Sequence, residues 1–176
     1  MNYTSKVILL WLSFTACVIT ACDDALDIND DPNNPANSTP ALTLPVGQVG
    51  LAARLETDYN LLGSMLAQYW TTGPTASQFN YIDAYDITTT RFSDAWIFVY
   101  ASPLSDLEFV RKDALKRKQY KHAAIAQLLQ AYMFQVLVDL YDKIPYHNAL
   151  KAEEGIQSPA FDDGDKIYDD LIVKIN

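Results

Sequence analysis

Residues 120–146 read YKHAAIAQLLQAYMFQVLVDLYDKIPY, and this stretch decides the fold. From Tyr120 to Tyr141 its apolar residues fall nearly all round a 3.6-residue helix: Ala123, Ala124, Ile125, Leu128, Leu129, Ala131, Phe134, Leu137 and Val138. Such a helix is usually buried on several sides, so other helices must pack around it. Asp142-Lys143-Ile144-Pro145 stops it, because proline lacks the backbone donor that a further turn needs.

Helical periodicity spreads outward from this segment. Ser38-Thr39-Pro40 is a cap and first turn, with proline tolerated at the first helical position. A first helix is predicted from there to about Glu56, weakened by Gly47 and Gly50. Leu61, Leu62, Met65, Leu66 and Tyr69 mark a second, which Gly73-Pro74 ends. A third carries Phe92, Trp96, Val99, Tyr100, Pro103, Leu104, Leu107 and Val110 on one stripe, with a kink expected between Val99 and Pro103. A last helix starts near Asp163 to Asp165 and carries Ile167, Tyr168, Leu171, Ile172 and Ile175. Its stripe is still running at Asn176, so the chain is expected to be the N-terminal part of a longer protein. The predicted class is all-α.

The N-terminus is of another kind. Lys6 precedes an uncharged run from Val7 to Ala21, and Ile19-Thr20-Ala21-Cys22 closes it. A basic start, a short apolar middle and small residues at a cut site make a secretory signal peptide. The run of 15 residues is short for a bilayer span, which takes about 20 apolar residues. The cysteine directly behind Thr-Ala resembles a bacterial lipobox. Cys17 is a rival, but Phe14 in the place of Ile19 makes it the poorer match. Residues 1–21 are therefore expected to be a lipoprotein signal and Cys22 the acylated first residue of the mature chain. Residues 22–37, acidic and rich in Asn and Pro, read as a flexible tether. The remaining 38–176 is the helical domain.

With Cys22 acylated, no thiol remains for a disulfide, and the fold must rest on its core. The net charge of -9 argues against nucleic acid and anionic lipid surfaces as partners. The basic cluster around Arg111, Lys112, Lys116, Arg117, Lys118 and Lys121 reads as a solvated helix end.

Residues 71–90 break the helical pattern. They are rich in Thr, Ser, Gln and Asn, with Phe79, Tyr81 and Tyr85 among them. Long ordered loops in compact domains often carry binding function. Aromatic faces stack on the C–H faces of sugars while amides and hydroxyls bond the ring substituents. Trp70, Gln78, Phe79, Asn80, Tyr81 and Tyr85 are therefore the candidate ligand-binding residues, led by Tyr81 and Trp70. Trp96, Tyr100, Tyr132 and Phe134, on helical stripes, are expected to be structural.

No catalytic constellation is legible. His122 and His147 lack a nucleophile context. Asp162-Asp163-Gly164-Asp165 lacks the alternating spacing and closing Glu of an EF-hand, and helix capping explains it. No carboxylate pair stands out as a glycosidase dyad. The expectation is a non-enzyme with no cofactor and no metal.

Several of these segments together resemble one family. CDDALDINDDPNNP from Cys22, Leu62-Gly63 to Gln68-Tyr69-Trp70, Ala124 to Tyr132, VDLYDKIPY from Val138, and IYDDL from Ile167 are similar, in order, to SusD/RagB nutrient-binding outer-membrane lipoproteins. Pro103 departs from the pattern, where a small helix former is expected. The resemblance implies tetratricopeptide-like helical hairpins with a long irregular loop insertion. It implies a lipid-anchored protein on the outer face of the outer membrane, seated over a SusC-like TonB-dependent transporter, to which it hands a glycan or other nutrient. The competing reading is a tetratricopeptide-like lipoprotein that scaffolds protein–protein assembly without a small ligand. A third is a lipid-anchored hydrolase whose catalytic half is missing, with its nucleophile or acid pair expected beyond Asn176.

Overall fold

The computed structural model describes residues 38–88, 90 and 92–176. The expected signal, Cys22 and the tether lie outside the described residues. The compact unit, Thr39–Asn176, is all-α.

Helix α1, Pro40–Arg54, opens as the sequence predicts, with Thr39 at the cap and proline in the first turn. The Thr39 side chain makes no capping bond. Its carbonyl instead accepts from the amides of Leu42 at 3.0 Å and Thr43 at 2.9 Å. The predicted break near Glu56 is absent. The backbone passes through a π-helical turn, Leu55–Tyr59, directly into α2, Asn60–Leu66. A π turn adds a residue and rotates the helix register. Tyr59 is buried at this point, and its hydroxyl donates to the Ala95 carbonyl at 3.2 Å.

After a short helix α3, Asn80–Asp83, the third predicted helix forms as α4, Ser93–Val99, a π-helical segment, Tyr100–Leu104, and α5, Ser105–Lys116. The expected disturbance at Pro103 takes the form of that π segment, which adjusts the local hydrogen bonding around the missing proline donor. Pro103 itself is fully buried. Helix α6, Tyr120–Tyr141, and helix α7, Gly164–Ile175, complete the unit.

The rods pack antiparallel in chain order. Gly47 of α1 faces Leu107 and Asp106 of α5, and Gly50 faces Pro103. A Cβ on Gly47 would stand 3.0 Å from a Leu107 methyl. The glycine that sequence propensity marks as a weakness is what lets α1 and α5 approach. Gln130 of α6 reaches Glu108 while Phe134 meets Tyr100, and Gln127 reaches Lys174 of α7 while Asp139 accepts from Tyr168, so α5, α6 and α7 also run antiparallel in turn.

Helix α6 lies at the centre, packed against α5, α7 and α1. Ala126, Met133 and Leu137 are wholly buried there. The all-round burial expected from its composition is only partly realised, because Ile125, Leu128, Tyr132 and Leu140 are exposed. Tyr132, expected to be structural, is 47% exposed, whereas Phe134 is 6% exposed. By length and composition α6 could cross a membrane; its buried stripe is that of a core helix.

Beyond α6 the chain is tied down at Asp162. Ile144 and Asp162 form an antiparallel bridge. The Asp162 carboxylate accepts from the amides of Tyr146 at 3.0 Å and His147 at 2.9 Å. Gly164 is buried at the start of α7, where a Cβ would stand 2.7 Å from the Asp142 carbonyl oxygen. Asp163 occupies the cap position of α7 but makes no side-chain cap bond. It pairs with Lys143 at 2.7 Å, so the acidic run anchors a turn more than it caps a helix.

Candidate functional site

The aromatic loop begins where α2 ends, and it ends earlier than Gly73-Pro74. Gln68 adopts a left-handed conformation, φ 60°. The Gln68 amide bonds the Met65 carbonyl at 3.0 Å and the Tyr69 amide bonds the Ser64 carbonyl at 2.9 Å. This pair of bonds is a Schellman closure, which satisfies the last carbonyls and turns the chain away from the helix axis. Tyr69, expected on the apolar stripe, is consequently outside the helix and 86% exposed. Trp70, the next residue, is 51% exposed.

One carboxylate closes the loop onto itself. Asp83, at the end of α3, accepts from the Thr72 hydroxyl at 2.6 Å, the Thr72 amide at 2.7 Å and the Thr71 hydroxyl at 3.1 Å. These bonds, the Thr72 hydroxyl foremost and its amide next, hold the Asp83 carboxyl below its ordinary range against the opposing effect of desolvation. A depressed carboxylate contributes its tie at neutral pH and loses it as pH falls through its folded-state value. The tie brings α3 against the residues that directly follow Trp70.

Ile82 is fully buried and anchors α3 to the domain. The other residues of α3 and its flanks carry the candidates. Phe79 sits at the cap of α3 in a left-handed conformation, φ 67°, and is half-buried. Tyr81 is half-buried as well, while Gln78 and Asn80 are exposed. The Asn80 amide donates to the Ala76 carbonyl at 2.5 Å. Tyr85 has a 57% exposed side chain, but its hydroxyl donates to the Leu66 carbonyl at 3.0 Å and accepts from the Gln68 amide at 3.3 Å. Tyr85 thus crosses back to the end of α2, beside the turn that carries Tyr69 and Trp70.

The loop is therefore an ordered surface, tied at both ends, with exposed aromatic and amide groups. The Tyr85 hydroxyl bonds bring Tyr85 to the end of α2, which Trp70 follows, while Gln78, Phe79, Asn80 and Tyr81 lie at the start of α3. Sequence reading missed Tyr69, because the apolar spacing carried it into the helix. It also missed Asp83, whose role depends on partners 11 and 12 positions away.

Trp96 and Tyr100 behave as structure, as expected. Trp96 makes edge contact with Tyr141, centroids 4.9 Å apart, and stacks on Phe161 at 5.9 Å. The Tyr100 hydroxyl donates to the Pro145 carbonyl at 2.9 Å. His122 is half-buried on α6 and His147 is exposed. Among the described residues no cluster of three or more His, Cys, Asp or Glu side chains is placed to hold a metal. In the basic cluster, Arg111 pairs with Glu108 and Arg117 with Asp113 on the same helix.

Among curated proteins no sequence matches the chain. A family model described as "Starch-binding associating with outer membrane" matches residues 32–176. That span takes in all of the helical unit and the aromatic loop within it. A match over most of the chain, on an all-α fold with an ordered loop insertion, means that the chain belongs to the SusD-like family, an outer-membrane-associated family.

Proposed function

We propose that this chain is an outer-membrane lipoprotein that captures a nutrient, a glycan foremost, and delivers it to a SusC-like TonB-dependent transporter. Membership of the SusD-like family carries the reading. The ligand surface is the loop from Trp70 to Tyr85, and no chemistry is performed on the ligand. Trp70 offers an exposed indole face and N–H, and Gln78 and Asn80 offer amides within the same tied segment.

Calorimetry of the intact chain in detergent against a panel of glycans is expected to find a binder. Trp70→Ala and Tyr81→Ala are each expected to weaken it by about 1 kcal/mol, roughly fivefold. Trp70 is the cleaner probe, because Tyr81 is half-buried and its variant needs a folding control. Variants that fold and bind like the parent remove the loop from the site. A panel with no binder favours the scaffold reading.

A further inference from the structure

A cleft of about 270 Å³, separate from the aromatic loop, opens between α5, α6, α7 and the turn at residues 146–151. Three cations line it, Arg111, Lys151 and Lys174, against one carboxylate, Glu108. That balance runs against the chain's net charge of -9.

The charges are not equivalent. Glu108 is saturated: Arg111 donates to it through Nε at 2.9 Å and Nη2 at 2.7 Å, and the Gln130 amide donates at 3.1 Å. A carboxylate held by such charge-assisted bonds opposes an entering anion less than a free one. The guanidinium still has the donors of Nη1 to offer. Lys174 is balanced by Asp170 at 2.7 Å and lies 4.5 Å over the Tyr146 ring. Lys151 meets a neutral partner, the Asn148 side-chain oxygen, at 3.3 Å. One full positive charge and the free edge of a guanidinium are thus offered to a ligand.

The rest of the lining suits hydroxyls and a ring. The Gln127 amide nitrogen donates to the Lys174 carbonyl at 2.6 Å. The Gln130 amide nitrogen is spent on Glu108 and on the Leu104 carbonyl at 3.4 Å. Each glutamine therefore has its amide oxygen left as the acceptor for a hydroxyl. Phe134 and Tyr146, in edge contact at 4.8 Å, supply apolar wall. The volume is just below the range of about 300–1,000 Å³ typical of drug-sized ligands, which leaves room for one ring.

We propose that this cleft binds a single hexuronate ring, with its carboxylate at Arg111 and Lys151 and its hydroxyls on Gln127 and Gln130. The choice of a sugar acid rests on the nutrient-binding reading; the cleft itself does not depend on the loop. The ring can be a free acid or the end unit of an acidic glycan. Calorimetry of the intact chain in detergent should therefore use D-galacturonate, its methyl ester, D-galactose and a short oligogalacturonate.

Galacturonate is expected to bind, and the methyl ester and galactose to bind at least tenfold more weakly. Lys151→Glu is expected to weaken galacturonate tenfold or more, and Lys151→Gln by less, with circular dichroism unchanged. Trp70→Ala should leave this binding intact, so that failure of the loop reading and failure of this one are distinguishable. Tighter binding of the oligomer identifies the end of a glycan as the source, and equal binding the free acid. Absence of galacturonate binding, equal binding of galactose, or indifference to Lys151→Glu in the folded variant overturns the proposal.

Discussion

Leu137→Ala is expected to destabilise the fold by about 2–5 kcal/mol, whereas Leu128→Ala should change stability by no more than about 0.5 kcal/mol. Both residues lie on α6, nine positions apart, in a helix whose composition makes them look alike. Leu137 is 0% exposed and belongs to the main core with Met133, Phe134 and Ile167. Truncating it removes transfer free energy and leaves a cavity that a helix packed by α5 and α7 closes only partly. Leu128 is 55% exposed, so little burial is lost with its side chain. Urea unfolding followed by circular dichroism, with the midpoint shift read at an unchanged slope, measures both. Equal losses for the two variants would mean that α6 is covered on the Leu128 face as well.

That pair also shows what the sequence could and could not reveal. The presence of α6 was plain from its length and its apolar content. Its orientation was not, because a helix with leucines all round carries no amphipathic signal to tell one face from another. The face is chosen by partners, and the partners are brought in by the antiparallel packing of α5 and α7. Gly47 and Gly164 teach the same lesson from the other side. Propensity counts a helical glycine as a defect. Here the missing side chain is what admits a Leu107 methyl at one site and the Asp142 carbonyl at the other.

Helix ends divided along similar lines. The start of α1 at Pro40 and the disturbance at Pro103 were legible, because proline acts through its own covalent geometry. The end of α2 was not, because a glutamine in the left-handed conformation ended it where glycine is the usual signal. That one misreading moved Tyr69 from an apolar stripe to the surface. Of the loop, residue type singled out Trp70 and Tyr85 among the binding candidates, and both are exposed. Residue type could not give the Asp83 tie or the half-burial of Phe79 and Tyr81, which follow from contacts across the loop. The cleft beside Tyr146 was illegible for the same reason. Arg111, Gln130, Lys151 and Lys174 are spread over three elements and a turn, and nothing in their spacing joins them.

Replacing Cys22 by alanine is expected to abolish the membrane attachment that we propose for the mature chain. The expectation rests on Ile19-Thr20-Ala21-Cys22 after Lys6 and the uncharged run from Val7. A lipobox cysteine is acylated on its thiol before cleavage, so alanine removes both the acceptor and the residue that becomes the new N-terminus. The anchor needs more than one acyl chain, because each buried CH₂ contributes about 0.8 kcal/mol and a single chain holds a protein only reversibly. The acidic residues behind the anchor, Asp23 and Asp24 first, add no attraction to an anionic lipid surface. The acyl chains are therefore the lipid attachment that the variant loses. Mass spectrometry of the mature N-terminal peptide should show Cys22 as the first residue, carrying acyl mass, in the parent and in Cys17→Ala. The Cys22→Ala chain should lack that peptide and should not appear in the outer-membrane fraction. A parent chain that begins at another residue, or one whose Cys22 peptide carries no added mass, would falsify the anchor and leave the outer-membrane association to be explained by a protein partner.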